Sequence, residues 1–480
     1  MRLSRRPRRG INMHRMLPGL AILLLCGCTV GPNYQRPKLA IPEQFRAPEP
    51  LPAQDASSIG DLKWFELFHD ERLQSLIRTA LAQNYDLRDA VTRVEAARAS
   101  LGITRSNQFP QFAASGGVEI NRLSRDGATP IPTELLPSQN RNFGEATLGL
   151  LSFEIDLWGK LRRATEAARA NLLSADENRE AVTTTLVSDV ATAYLSLREL
   201  DYELEISRRT LATRQQSLEL TKSRQTGGVG TLLDLRQAEQ LVDTAAQTIP
   251  VIQQGIEQTE NRIHLLLGEP PGPVARGEAL TAQEIPPDVP PGLTSTLLER
   301  RPDIRAAEAD LTAANAEIGV ARAQYFPQLT LTGFLGGQST QLTNLLAGPN
   351  TVWNLAPQVA QPIFTAGRLK SNVRLAQAAR DHALVQYEKA VQTAFSEVSD
   401  GLIAHQRVRE SRAKQEELVY ALEDRVRLAY LRYRGGVDTQ LNALDADRDL
   451  FSAQLALSQM RLQEVLTIVE LYKALGGGWQ

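Results

Sequence analysis

Apolar residues recur every three or four positions along two long stretches of the chain, 159–226 and 367–434. The residues that carry this spacing are Leu186, Val190, Ala193, Leu197, Leu200 and Leu204, and then Leu369, Val373, Ala376, Ala383, Tyr387, Ala390 and Ala394. The seven-residue frame is that of a coiled coil. Neither stretch contains a proline, and glycine interrupts only the second, at Gly401. Each stretch therefore predicts one helix of ~100 Å.

Both stretches end at a pair of glycines, Gly227–Gly228 and Gly435–Gly436. Glycine just beyond a helix favours a sharp C-terminal stop. We expect the chain to turn at each pair and to return as a second helix. The sequence thus predicts two helical hairpins, 159–267 and 367–475.

A different period precedes each helical hairpin. From Leu151 to Leu157 apolar and polar residues alternate, which predicts a β-strand with one apolar and one polar face. Weaker signals of the same kind complete one β-hairpin in 111–157 and another in 328–364. We expect lipid to meet Leu151, Phe153, Ile155 and Leu157, and an interior to be lined by Ser152, Glu154 and Asp156.

The two halves of the chain repeat one plan. Phe109-Pro110-Gln111 returns as Phe326-Pro327-Gln328, and Gly227-Gly228-Val229 returns as Gly435-Gly436-Val437. A repeat of this length indicates a duplicated half-protein rather than a solenoid. The predicted segments are repeat 63–267 with its first helices in 71–108, a Pro-rich linker 268–300, repeat 301–475 with its first helix in 301–324, and a tail 476–480.

The N-terminus is typical of an export signal. In 1–27 an Arg-rich start precedes an apolar run that is too short to span a bilayer. The run ends in Leu25-Cys26-Gly27-Cys28, which resembles the bacterial lipobox, so we expect cleavage before Cys28 and a lipid on its sulfur. A disulfide between Cys26 and Cys28 is disfavoured, because a single intervening residue would strain it. The mature chain would begin with a Pro-rich surface strap, 28–62.

Charge and composition argue against several classes of function. The net charge is −2 and no basic patch stands out beyond the signal, so no nucleic-acid partner is expected. Five histidines are scattered without metal-ligand spacing, and no nucleotide-binding or Ser-His-Asp signature occurs. We predict no enzymatic activity, no metal site and no cofactor other than the covalent lipid on Cys28.

Four strands cannot form a closed structure within one chain. Lipid does not tolerate unpaired strand edges, so the sheet must close with strands from other chains. A barrel of n chains would hold 4n strands, which is twelve for three chains.

Several segments, in this order, resemble one family. They are Cys28-Thr29-Val30-Gly31-Pro32-Asn33-Tyr34-Gln35-Arg36-Pro37, Trp64-Phe65, Phe68-His69-Asp70, Leu298–Ile304 and Pro362–Arg368. Together they resemble the lipoprotein branch of the TolC-like outer-membrane efflux proteins, which includes NodT-type lipoproteins and multidrug-pump components. The resemblance implies a membrane α+β fold: a homotrimeric, twelve-stranded outer-membrane β-barrel, four strands per chain, continuous with a long periplasmic α-helical barrel.

The same resemblance implies a function. The chain would be the passive outer-membrane conduit of a tripartite efflux system, lipid-anchored and extending into the periplasm. Its partners would be a periplasmic adaptor and an inner-membrane pump, and 268–300 with the C-terminal tail would form part of an equatorial belt. Two alternatives remain: a type I-like protein-secretion channel, and a lipid-anchored periplasmic coiled-coil scaffold or adaptor. Four methionines and five histidines give a metal-efflux conduit little support.

A conduit of this kind needs a gate, and the resemblance places it at the periplasmic ends of the helical hairpins. The candidate gate residues are Asp234, Tyr433, Asp438 and Asp445. Three-fold symmetry would turn each aspartate into a ring of three that attracts cations and water. The simpler interpretation is that these aspartates are solvated hairpin residues and helix N-caps. Asp438 and Asn442 depart from the charges that some relatives carry there.

The same hairpin ends are the expected docking site for the adaptor. The candidate residues are Gly227, Gly228, Val229 and Gly230 in the first hairpin and Gly435, Gly436 and Val437 in the second. Small residues leave the backbone accessible and allow helices to approach closely. Turn geometry alone also requires the glycines, and the two interpretations are compatible.

Overall fold

The computed structural model describes residues 29–48, 58–122, 124, 139–283 and 294–478. The predicted signal and Cys28 lie outside these residues. The chain divides into two compact units. The first comprises residues up to Pro37, Glu95–Leu173 and Ala309–Val385; the second comprises Lys38–Val94, Ser174–Glu308 and Gln386–Gln480.

Helices dominate the described residues, in which four strands form one sheet. The α-helices are α1 (Trp64–Leu67), α2 (Glu71–Gln83), α3 (Tyr85–Ser106), α4 (Lys160–Thr226), α5 (Leu232–Leu267), α6 (Leu297–Arg300), α7 (Pro302–Ala323), α8 (Arg368–Arg434) and α9 (Gln440–Ala474). The strands are β1 (Phe112–Arg122), β2 (Asn140–Glu154), β3 (Gln328–Ser339) and β4 (Thr351–Ala360). Helices α4 and α8 have 67 residues each. In the described residues, no helix is long and apolar enough to span a bilayer.

The sheet of the first unit is antiparallel, in the order β1-β2-β3-β4. Because side chains alternate along a strand, its register sorts them onto two faces. One face carries Val118, Ile120, Leu148, Leu150, Phe153, Leu331, Leu335, Trp353, Leu355 and Val359. The other is mostly polar and carries Ser115, Glu119, Asn121, Glu145, Thr147, Glu154, Thr330, Thr332, Gln338, Asn354 and Gln358, together with Phe143, Phe334 and Val352. The apolar face is open: Ile120 is 77% exposed and Trp353 73%.

The strand predicted as far as Leu157 ends earlier, at Glu154. A bulge falls between Leu150 and Phe153, and it interrupts the strict alternation that the sequence suggests. Phe153 and Glu154 lie on the faces predicted for them. Leu151 and Ser152 fall in the bulge, and Ile155 and Leu157 lie beyond the strand, as does Asp156. Its carboxylate accepts a hydrogen bond from the backbone N–H of Arg162 (2.9 Å) and so caps the start of α4.

The second strand of the later hairpin also ends before the predicted limit, at Ala360 rather than 364. Pro362 has no backbone N–H for the sheet ladder. Ile363, the next residue, is almost fully exposed. The loop therefore leaves the sheet at the proline.

Asp70 lies at the centre of a buried polar cluster in the second unit. Its carboxylate accepts hydrogen bonds from the N–H of Arg72 (2.7 Å), the hydroxyl of Tyr194 (2.9 Å) and the N–H of Glu278 (3.0 Å). Burial opposes ionisation, but the hydrogen bonds from Tyr194 and the backbone outweigh it and hold the pKa of Asp70 below its ordinary value. The aspartate thus caps α2 and also fixes the segment after α5 against α4.

Arg301 joins three helices in the same unit. Its guanidinium donates to Glu397 of α8 (2.6 Å), to the carbonyl of Ala474 at the end of α9 (3.0 Å) and to Asp303 of α7 (2.7 Å). The Arg-Pro-Asp segment is therefore a junction: Pro302 opens α7 while the residues on either side of it bind each other.

The N-terminal strap is tied down in the first unit. The N–H of Val30 donates to the carbonyl of Trp158 (3.0 Å). Gly31 has φ +111°, and a Cβ there would lie 2.5 Å from Cα of Gly319. A side chain at position 31 would therefore push the strap away from α7.

Candidate functional site

The two helical tips share one backbone geometry. After α4, Val229 donates its N–H to the carbonyl of Arg224 (3.0 Å); after α8, Val437 does the same to Arg432 (3.1 Å). Gly228 has φ +75° and Gly436 has φ +73°, the left-handed conformation that glycine adopts without penalty. The duplication thus extends to the individual hydrogen bonds of the turn.

Both turns present small and apolar groups to their surroundings. Val229 is 72% exposed and Val437 69%. A Cβ added to Gly228 or Gly436 would meet nothing within 4 Å. Exposed valines beside bare backbone form a surface that a partner can approach closely.

Asp234 caps the helix that leaves the first tip. Its carboxylate accepts from the N–H of Thr231 (2.9 Å) and from the Thr231 hydroxyl (2.8 Å), and its own N–H donates to that hydroxyl (3.1 Å). This is a reciprocal capping box at the start of α5. In the single chain, Thr231 is thus the N-cap and Asp234 is the third helical residue that completes the box, so the N-cap role that the simpler sequence interpretation gave to Asp234 belongs to Thr231.

Asp438 gathers three donors around the second tip. Its carboxylate accepts from Arg432 Nε (3.0 Å), from the N–H of Thr439 (2.8 Å) and from Asn442 Nδ2 (2.7 Å). The hydrogen bond from Arg432, followed by those from Thr439 and Asn442, lowers the pKa of Asp438. This acid remains ionised at neutral pH and ties the end of α8 to the start of α9.

Asp445 has a separate partner. It lies 3.2 Å from the guanidinium of Arg448, one helical turn further along α9. Asp234, Asp438 and Asp445 are thus each engaged with a neighbour in sequence, and none of these bonds links one of the three to another.

Tyr433 and Gln440 connect the tips of the two hairpins. The Tyr433 hydroxyl donates to Gln440 Oε1 (3.1 Å), and Gln440 Nε2 donates to the hydroxyl of Thr221 on α4 (2.8 Å). The guanidinium of Arg224 stands 4.8 Å from the centre of the Tyr433 ring. The sequence named Tyr433 as a candidate gate residue. It did not name Gln440, Thr221 or Arg224. Only the place of Gln440 after a predicted turn hinted at a role.

A small cavity adjoins this connection. Its volume is about 130 Å³, and it lies between α4, α8 and the start of α9. Ser217, Leu220, Thr221, Tyr430, Tyr433 and Gln440 are among its lining residues. The two hairpins therefore do not pack completely against each other just above the tip.

A buried ion pair lies about two turns further from the tip. Arg214 Nε of α4 donates to Asp447 of α9 (2.6 Å), and Arg214 Nη1 donates to the carbonyl of Leu241 on α5 (2.9 Å). Arg214 is only 3% exposed, and its guanidinium lies 4.9 Å from the ring centre of Phe451. Nothing in the sequence pattern marked this pair, because the two residues belong to different halves of the chain.

Buried carboxyl groups follow still further along α4. Burial, with the adjacent carboxyl group of Glu203, raises the pKa of Glu199 to about 8. Glu203 in turn accepts a hydrogen bond from Gln459 of α9 (3.0 Å). The contact surface of α4 and α9 thus carries polar groups from the tip inwards.

Comparison with known proteins identifies the family. The family model described as outer membrane efflux protein matches residues 76–269 and 293–477, one block in each half of the chain. The chain belongs to this family. The two blocks agree with the internal duplication inferred from the sequence.

Named relatives span the whole chain. The toluene efflux pump outer membrane protein TtgC of Pseudomonas putida is 39% identical over 476 residues, which cover 97% of this chain and 96% of that protein. The cation efflux system protein CusC of Escherichia coli is 33% identical over 472 residues, covering 97% and 99%. The open-state MtrE outer membrane channel of Neisseria gonorrhoeae is similar with a TM-score of 0.84 and 34% identity, covering 94% and 99%.

These comparisons confirm the predicted family and fold class. The chain has the fold of outer-membrane efflux channels, with four antiparallel strands and two long helical hairpins. It is accordingly an outer-membrane component of an efflux system. The resemblance stated from Cys28, Asp70 and the other sequence segments led to the correct family.

Proposed function

We propose that this chain assembles as a homotrimer whose three sheets close into one twelve-stranded barrel, and that the trimer is a passive conduit from periplasm to exterior. The observation that carries the proposal is the sheet itself. It has two edge strands, β1 and β4, and one predominantly apolar face that is open to its surroundings. Pairing β4 with β1 of the next copy would remove the edges, and lipid would cover the apolar face.

The gate of this conduit lies at the helical tips. Asp234, Tyr433, Asp438 and Asp445 are its candidate residues, and around a three-fold axis each aspartate would recur three times. Asp438 supports this role best, since its carboxylate accepts three hydrogen bonds at the tip and its partner Arg432 belongs to the adjoining helix end. A ring of such acids would hold water and cations in a narrow entrance.

A lipid on Cys28 would anchor the chain where the strands give way to helices. Thr29 lies so close to Gly159 that a Cβ on this glycine would be 2.8 Å from the threonine methyl group. The neighbouring Trp158 stacks on Phe326 with ring centres 4.8 Å apart. Aromatic side chains are frequent at membrane–water interfaces, so the residue after Cys28 is held near the level at which a lipid anchor is useful.

The partners would be a periplasmic adaptor and an inner-membrane efflux pump. Relatives carry the names of toluene, antibiotic and cation efflux systems, which indicates that one duct design serves chemically different cargo. We infer that the cargo is selected by the pump. The adaptor would dock on Gly227, Gly228, Val229 and Gly230 and on Gly435, Gly436 and Val437, where both turns expose backbone and valine.

Negative-stain electron microscopy of the detergent-purified protein tests the assembly. We expect a hollow cylinder with three-fold symmetry, and a helical tube on the order of 100 Å below a collar of roughly 30 Å. Thin solid rods or small globules would refute the channel and favour the lipid-anchored scaffold.

The lipid anchor has its own test. Cells producing the Cys28→Ser variant should incorporate no radiolabelled palmitate into this protein, while the unaltered chain is labelled. Equal labelling of the two proteins would rule out acylation at Cys28.

A further inference from the structure

Polar contacts between α4 and α9 form layers along one seam of the second unit. Nearest the tip, Gln440 donates to Thr221 (2.8 Å). About two turns inwards on both helices, Arg214 donates to Asp447 (2.6 Å). Because the helices run antiparallel, each step back along α4 matches a step forward along α9.

The layers differ in how strongly they hold the hairpins together. Thr221 and Gln440 are neutral, and they adjoin the cavity of about 130 Å³, which leaves room for the second hairpin to shift. Arg214 and Asp447 form a charge-assisted bond, roughly twice as strong as a neutral one. Separating them would leave two buried charges without partners, which is far more costly than parting two neutral groups.

Arg214 also anchors the first hairpin to itself. Its second bond goes to the carbonyl of Leu241 on α5 (2.9 Å), and Phe451 of α9 faces its guanidinium. One side chain thus joins α4, α5 and α9. The corresponding position in the second half of the chain is Leu422, so this junction is not a general product of the duplication.

We propose that the Arg214–Asp447 pair is the inner stop of the gate: opening separates α9 from α4 between the tip and this layer, and no deeper. The proposal rests on the proposed function, because it assumes that the tips open. The pair is a positioning device, not part of the aqueous path. The pair limits the movable segments to 215–226 of α4 and 440–446 of α9. Beyond these segments it keeps the two helices packed against each other.

Hydrogen exchange measured by mass spectrometry on the purified full-length protein tests this directly. In the unaltered protein, backbone amides in 215–226 and 440–446 should exchange faster than those in 203–213 and 448–459. In Asp447→Asn, fast exchange should extend into 203–213 and 448–459. The same boundary in Asp447→Asn as in the unaltered protein would overturn the proposal.

Two further variants guard against simple misfolding. Arg214→Met combined with Asp447→Leu removes both charges and keeps an apolar contact, a replacement that buried ion pairs often tolerate; it should restore the boundary. Failure to restore it would contradict the proposed stop. Asp449→Asn breaks an exposed pair with Arg425 inside the second hairpin (2.7 Å) and should leave the boundary unchanged; a boundary that moves here too would also count against it.

Conductance in planar bilayers separates this proposal from the proposed function. Asp447→Asn should reach a larger conductance than the unaltered protein. If the exchange boundary lies where we expect it but no variant conducts, the conduit is refuted. The limit that Arg214 and Asp447 set on the separation of the hairpins would still hold. Conductance that increases on altering the tip but not on altering Asp447 would refute the stop alone.

Discussion

The two helical tips have the same backbone and different connections. In the first tip, Thr231 and Asp234 bind each other within one turn. In the second, Asp438 binds the end of the preceding helix and Gln440 binds Thr221 in the other hairpin. The two repeats therefore share the backbone geometry of the turn but differ in the residues to which the turn is hydrogen-bonded.

Corresponding positions make the difference explicit. Gly230 in the first tip corresponds to Asp438 in the second, and Leu232 corresponds to Gln440. The start of α5 is bonded within its own first turn, whereas the start of α9 is bonded to the end of α4 in the other hairpin. In the proposed gate, the second hairpin would therefore control closure and the first would provide the fixed side.

Among matched substitutions in the two halves of the chain, the largest difference in stability should be found at Glu199. Its ordinary pKa of 4.5 is raised to about 8 in the folded chain. Its contribution to stability is therefore complete below pH ~4.5, is lost as the pH rises to ~8, and stays lost above. At ~1.4 kcal/mol per pH unit, the total is on the order of a few kcal/mol.

Glu199→Gln should accordingly flatten the decline in thermal stability between pH ~5 and ~8. The counterpart in the other half is the exposed Arg407, and Arg407→Gln should leave the pH profile as it is. Parallel pH profiles for Glu199→Gln and the unaltered protein would contradict a neutral buried carboxyl at this position.

The next largest difference in stability should come from the hydrogen bonds of Gln440. Gln440→Ala removes a buried side chain and its hydrogen bonds to Thr221 and Tyr433, which should destabilise the protein by ~1–3 kcal/mol in denaturant unfolding. Leu232→Ala alters the corresponding exposed residue and should cost much less. If the two variants lose equal stability, the tips do not differ in the way described.

The helix caps should produce a smaller effect. Asp234→Ala breaks the capping box of α5 and should cost ~1 kcal/mol. Asn442→Ala changes the corresponding residue of α9. It removes one hydrogen bond to Asp438 but no capping bond, because the N-cap Thr439 makes no side-chain capping bond, so it should cost less. A greater loss of unfolding free energy in Asn442→Ala would reverse the assignment of which tip is capped.

Matched substitutions in the two glycine turns should change the unfolding free energy equally. Gly228→Ala and Gly436→Ala each place a Cβ in open space but at positive φ, which should cost ~1 kcal/mol in both cases. Unequal unfolding free energies would mean that one turn is constrained by contacts beyond its own hairpin.

The sequence predicted the elements far better than their connections. Coiled-coil spacing, strand alternation and glycine pairs are local, so the helical hairpins and the presence of strands could be anticipated, as could the faces of Phe153 and Glu154. The bulge before Phe153 could not, because register depends on the partner strand. Arg214–Asp447 and Thr221–Gln440 join residues more than 200 positions apart, and no local period marks such pairs.

Among the candidate gate residues, the sequence named the acids but not their bonds. Asp234 belongs to a capping box, while Asp438 binds Arg432. No sequence pattern marked Arg432 as the partner of Asp438. Charge and turn position were visible in the sequence. The choice between capping and bridging depends on which side chains the folded turn brings within reach.

The gate at the second tip can be tested by the single-channel conductance of the Asp438→Ala, Asp445→Ala double variant in planar bilayers, with Asp234→Ala as the matched variant of the first tip. We expect a larger conductance or more frequent opening in the double variant than in the unaltered protein, and little change in Asp234→Ala. Equal conductance in all three proteins, with unchanged antibiotic sensitivity of the producing cells, would show that these acids are ordinary surface residues and that the second tip is not the gate.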